Sequence, residues 1–206
     1  MWGYLLGLFL FVLLIVAMTA SPSTRIIKFI KGKNENTEYN SLLDTYSLDK
    51  HNINCKSNAI NNFKIDLSDD KKNLRYNYNC SSGGDFGEIV QKNTGFNKGG
   101  KGTIIYLDRH NLDCESNAVL NNFYLTKNTD NLNNYRYDYS CINSNKPLTC
   151  RTLQSKKISG IPPGNKDISK LSSANILCND DEALNRFKLT RPDNKSVQYE
   201  YTCCKY

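Results

Sequence analysis

Three short sequence blocks recur three times in the same order along this chain, and a cysteine opens and closes each round. The first block reads LDKHNINC over residues 48–55 and LDRHNLDC over residues 107–114. In the third round it shrinks to Asn175-Ile176-Leu177-Cys178. The second block is INNFKI at 60–65, LNNFYL at 120–125 and LNRFKL at 184–189. The third is YNYNC at 76–80, YDYSC at 137–141 and YEYTC at 199–203. Such self-similarity marks a repeat architecture and decides the fold class before any local reading.

The spacing of the cysteines follows the repeat. The opening cysteines lie 59 and 64 positions apart, so the unit is about 60 residues. Within a unit the two cysteines are separated by 25, 27 and 25 positions. Symmetry therefore predicts Cys55–Cys80, Cys114–Cys141 and Cys178–Cys203. Cys150 and Cys204 are left to tie the start of unit three to the chain end. Eight cysteines allow 105 pairings in principle, and only the internal symmetry selects this one. Zinc is the competing use of thiols, but it favours close pairs such as C-x-x-C, and none occurs.

Residues 4–20 carry no charge and, with Met1 to Tyr4, are long enough as a helix to cross a bilayer core. Trp2 and Tyr4 stand where an interfacial aromatic belt would be, and Arg25, Lys28, Lys31 and Lys33 follow as a basic stop. A cleaved signal peptide would want a basic start and small residues before the cut. The start carries no basic residue, and a cut after Ala20 would put Met18 at a position that prefers a small residue, so a retained single-pass anchor is favoured. The expected organisation is an anchor at 1–20, a basic juxtamembrane linker at 21–36, and β repeats at 37–82, 83–143 and 144–206.

The body reads as all-β. Tyr76, Tyr78 and Cys80 alternate with polar residues, as do Phe63, Ile65 and Leu67, which marks half-buried strands. Residues 104–114 read as a strand leading into Cys114. The polar runs 68–73 and 128–134 are turn material. The joins 81–101 and 142–169 read as long and irregular, with the glycine-rich stretch 95–102 a flexible connection. Two arrangements fit: three units closed around a pseudo-threefold axis, as in trefoil or prism folds, or tandem small β units, each pinned by its own bridge.

No motif for catalysis emerges. His51 and His110 occupy the same place in units one and two, each two residues after an acid, Asp49 or Asp108. On a strand such a pair would share a face and could orient a base. No nucleophile is placed beside them, and unit three has Ala174 there, so a duplicated structural hydrogen bond is the favoured role. The tyrosine pairs suit core packing beside the bridges, and Asn61-Asn62 and Asn121-Asn122 suit the satisfaction of turn backbone groups. Asn194-Lys195-Ser196 is the more attractive of two glycosylation sequons, the other beginning at Asn79. The net charge of +7 is scattered, so nucleic acid is not an expected partner. No cofactor, metal or small-molecule ligand is expected.

The anchor at 4–20, the basic stop at 25–33 and the eight-cysteine body together resemble the small anchored virion proteins of nucleocytoplasmic large DNA viruses. The resemblance implies a minor structural component between an inner virion membrane and a capsid layer, with the bilayer and capsid proteins as partners. The basic stop places the body on the cytosolic side, where such viruses form disulfides with their own oxidases. Its 28 asparagines, with many lysines, isoleucines and tyrosines, fit an AT-rich genome. A cell-surface or secreted lectin-like, adhesive module is the alternative, and a hydrolase using Asp108 and His110 a distant third.

Overall fold

The computed structural model describes residues 34–41 and 44–206. The expected anchor and most of the juxtamembrane linker, including Trp2, Tyr4, Arg25 and Lys28, lie outside the described residues. Among the described residues no helix is long and apolar enough to cross a membrane.

Each unit follows one plan. Unit one has β1 (Asn34–Asn36), β2 (Asn40–Ser41), a 3-10 helix (Thr45–Lys50), β3 (Asn52–Asn54), β4 (Ile60–Leu67) and β5 (Asn73–Cys80). Unit two repeats it with β6 (Phe86–Asn93), β7 (Asn97–Lys98), a 3-10 helix (Ile104–Arg109), β8 (Asn111–Asp113), β9 (Ala118–Lys127) and β10 (Asn134–Ser144). Unit three has β11 (Thr149–Gln154), β12 (Ile158–Ser159), a 3-10 helix (Ile168–Ser173), β13 (Ile176–Leu177), β14 (Glu182–Asp193) and β15 (Ser196–Lys205).

The sheets are not the units. Each five-stranded sheet takes its short edge strand from the preceding unit. The orders are β1-β5-β4-β13, β6-β10-β9-β3 and β11-β15-β14-β8, with β2, β7 and β12 pairing off this path. Unit one thus lends β3 to unit two, unit two lends β8 to unit three, and unit three lends β13 back to unit one. The exchange closes a ring, and one core cluster spans all three units. The alternative of separate beads is thereby set aside.

The centre of the ring is a triangle of the three phenylalanines from the second block. Phe63, Phe123 and Phe187 meet tilted or edge-on, with ring centroids 5.0, 5.0 and 5.1 Å apart. Around them Tyr76, Tyr137 and Tyr199 each set an edge against two of the three. Alternation in the sequence dictates this, because every second residue of a strand faces the core, and tilted or edge-on contact is the favoured aromatic geometry.

The bridges pair as the spacing predicts: Cys55–Cys80, Cys114–Cys141, Cys178–Cys203 and Cys150–Cys204. Their place in space adds something. Cys55 directly follows β3, which belongs to the second sheet, whereas Cys80 ends β5 in the first. Each of the three equivalent bridges therefore joins two neighbouring sheets, and together they fasten the ring shut. Cys150–Cys204 instead crosses a directly opposed pair on β11 and β15.

Asparagine fastens the same corners without covalency. Asn121 Nδ2 donates to the carbonyls of Lys56 and Asn58, at 2.5 and 2.6 Å, in the loop after unit one's first cysteine. Asn185 does this to Glu115 and Ala118, and Asn61 to Asn179 and Glu182, all at 2.7 Å. The backbone N–H of Cys55, Cys114 and Cys178 answers, donating to the carbonyls of Asn121, Asn185 and Asn61. The asparagines do satisfy turn backbone groups, but those of the neighbouring unit. Lys56 and Glu115 take positive φ in these loops, 55° and 62°. A non-glycine residue there is uncommon, and these clamps hold the turn in it.

Several expectations are corrected. Residues 104–114 are not one strand: a 3-10 helix fills 104–109 because Ile104 and Leu107, three apart, both turn into the core. The joins 81–101 and 142–169 are not irregular, because they contain the outer strands β6 and β11, and the segment read as linker contributes β1. The glycine-rich stretch is packed, not a free connection. A side chain at Gly99 would collide with Tyr135, and one at Gly102, whose φ is +86°, with Asp44.

Candidate functional site

The histidines are structural members of the core. His51 and His110 cap the C-termini of the 3-10 helices and are each 1 % exposed. Their Nδ1 atoms lie 2.9 Å from Thr37 Oγ1 and 2.7 Å from Thr94 Oγ1. Those hydroxyls also accept the backbone N–H of Tyr76 and Tyr137. In unit three Ser155 accepts from Tyr199 in the same way, and Ala174 fills the histidine's place. The expected Asp–His neighbours do not form. Both acids sit on 3-10 helices, not strands, and turn away, Asp49 to Lys127 at 2.8 Å and Asp108 toward Arg191 at 4.0 Å.

Burial lowers both imidazoles, and for His110 the Arg109 charge adds to it, bringing the group down to about 4. An imidazole that is neutral when folded but protonates near 6.5 when unfolded gives stability that is present above about pH 6.5 and lost as pH falls toward 4. For His110 this amounts to about 3 kcal/mol. Thermal melts between about pH 6.5 and 4.5 should therefore fall steeply, and His110→Ala, which copies unit three, should flatten the slope. An unchanged slope in the variant would remove His110 as the cause.

Cys178, Glu182 and Cys203 lie close enough together to suggest a metal centre. Their donors are already committed. The two sulfurs are bonded to each other, and the Glu182 carboxylate takes Arg151 Nε and Nη2 at 2.7 and 2.8 Å and the N–H of Asn179 at 2.8 Å. Arg151 holds the carboxyl below its ordinary range. This cluster is a corner post.

The surfaces differ where the core does not. On the outer face of the second sheet, Asn52, Tyr124, Asp138 and Asn93 stand in one row across β3, β9, β10 and β6. Asn54, Asn122, Ser140 and Gln91 form the next. Of these, Asn52, Tyr124, Asn54, Asn122, Ser140 and Gln91 line a groove of about 380 Å³, and Asp138 and Asn93 stand outside it. Its floor is preorganised: Ser140 Oγ donates to Asn121 Oδ1 at 2.9 Å, and Asn122 Nδ2 donates to Asn52 Oδ1 at 2.6 Å. The place of Tyr124 is held by Lys64 in the first sheet and Lys188 in the third. In the third sheet, Arg186 and Glu200 close the face with an ion pair. The sequence read Asn121-Asn122 as a turn device and offered no signal for this groove, because β6 was hidden in a join and β3 pairs outside its own unit.

Asn194 is exposed on the turn between β14 and β15. Comparison with protein-family models, curated proteins and solved structures found no match.

Proposed function

We propose that the chain is a membrane-anchored structural protein, without catalytic activity, that docks a bilayer to a protein layer as a minor virion component. The observation that carries this reading is the ring of bridges, each joining two sheets of one core. A body fastened in this way keeps its shape under load. Its imidazoles, and the tyrosines around the phenylalanine triangle, are spent on packing. The tether supports the same reading. Among the described residues the first strand starts at Asn34, with 13 residues between it and Ala20. Fully extended they reach about 45 Å, which keeps the body near the bilayer surface.

Membranes containing the full chain, washed with alkaline carbonate and then cross-linked through lysines, test both halves. The chain is expected to stay in the pellet and to cross-link to the capsid-layer protein. Release into the supernatant, or a mature N-terminus near residue 21, would remove the anchor. Retention without a capsid cross-link would remove the docking role.

A further inference from the structure

We propose that the groove on the outer face of the second sheet binds a neutral oligosaccharide. This goes beyond the docking role and does not depend on it.

The three sheets carry matching inward residues, yet their outward positions have diverged. The second sheet alone places an aromatic ring at the central position, with Tyr124 38 % exposed. Around it stand Asn52, Asn54, Asn122 and Gln91, and among the described residues no carboxylate lines the groove. Planar amides each offer donors and an acceptor, which suits neighbouring hydroxyls on a sugar ring. An exposed tyrosine adds an apolar face with a polar tip, against which a sugar's C–H face can rest.

The amides retain hydrogen-bonding capacity for a ligand. Asn52 and Asn54 use their Oδ1 atoms internally, accepting from Asn122 Nδ2 and from the Lys56 N–H. Their Nδ2 groups, and the Gln91 amide, are left over for a ligand. Asn121 and Ser140 beneath are satisfied by each other and by backbone, so the floor does not have to reorganise. Preorganised polar groups lower the cost of binding. Lys56 is the single cation among the described residues of the lining, which speaks for a neutral sugar over a sulfated or phosphorylated one.

The test is an array of neutral and acidic oligosaccharides probed with the full chain in lipid nanodiscs, followed by titration of the best binder. A subset of neutral sugars is expected to bind. Tyr124→Ala and Gln91→Ala should each weaken binding about tenfold or more, while Lys188→Ala, at the matching place in the third sheet, should not. Tyr124→Trp should retain binding. All three positions lie on outer faces, and unchanged melting temperatures of the four variants would show the fold intact. Binding of acidic sugars only, binding that survives both groove variants, or no binding to the array would each overturn the proposal.

Discussion

Reduction of the four disulfides is expected to unfold the body outright. Each equivalent bridge closes a loop of 25 or 27 positions, and Cys150–Cys204 one of 54. Restriction of the unfolded chain by such a loop contributes about 3.5 kcal/mol. The loop of Cys178–Cys203 is nested within that of Cys150–Cys204, so the contributions overlap, and the set amounts to on the order of 10 kcal/mol. That is comparable to the whole stability of an ordinary domain. Topology sharpens the expectation, since three of the four bridges fasten one sheet to the next. Replacing Cys114 and Cys141 together by Ala should lower stability by about 3.5 kcal/mol and open one corner of the ring. Circular dichroism in reductant, and denaturant unfolding of the double variant, are the measurements. A reduced chain that keeps its strand signal and melts cooperatively within a few degrees of the oxidised one would show that the noncovalent clamps suffice. If the body does face the cytosol, its folding depends on an oxidant supplied there.

Much of this fold was legible because repetition averages out local ambiguity. A single Tyr-x-Tyr-x-Cys is a weak strand signal, but three, each 12 to 14 positions after Phe63, Phe123 or Phe187, fix which faces turn inward. The cysteine pairing followed from the same redundancy. What stayed hidden was whatever the repeat does not spell in residues. The exchanged strands β3, β8 and β13 are two or three residues long, too short for any period to show. Their partners lie in the next unit, so no local pattern encodes them. The outer strands β6 and β11 were missed because they share no block with one another: an edge strand packs on one side only, and its sequence is free to drift. The groove belongs to this freely varying layer. Its residues Gln91, Tyr124 and Asn52 come from three strands of two units, and only the closed ring brings them together. The His51 and His110 pairs misled for a related reason. The i, i+2 argument assumes a strand, whereas Thr45 with Leu48, and Ile104 with Leu107, each pair three apart and buried on a short 3-10 helix, set the true geometry.

Phe123→Ala is expected to be the most damaging single substitution in the noncovalent core. The ring is 1 % exposed and touches Phe63 at 5.0 Å, Phe187 at 5.1 Å, and both Tyr76 and Tyr137 at the edge. Truncating a buried phenylalanine costs about 3–5 kcal/mol, with the larger values where neighbours cannot collapse into the space. Collapse is obstructed here. Phe63 and Phe187 are held on strands that each start four or five residues after a bridged cysteine, Cys55 or Cys178, and carry the clamping Asn61 and Asn185, so an inward shift of either would strain the corners. The cavity should therefore persist, and denaturant unfolding should show a loss near the top of that range. Phe63→Ala and Phe187→Ala should behave alike, because the three rings are equivalent by position. Double variants should fall short of additivity, since the first truncation already removes half of each remaining ring's stacking. If Phe123→Ala cost less than about 1.5 kcal/mol, or if the three variants differed widely, the triangle would not be the centre of the core. The unit would then owe its stability to the corners alone.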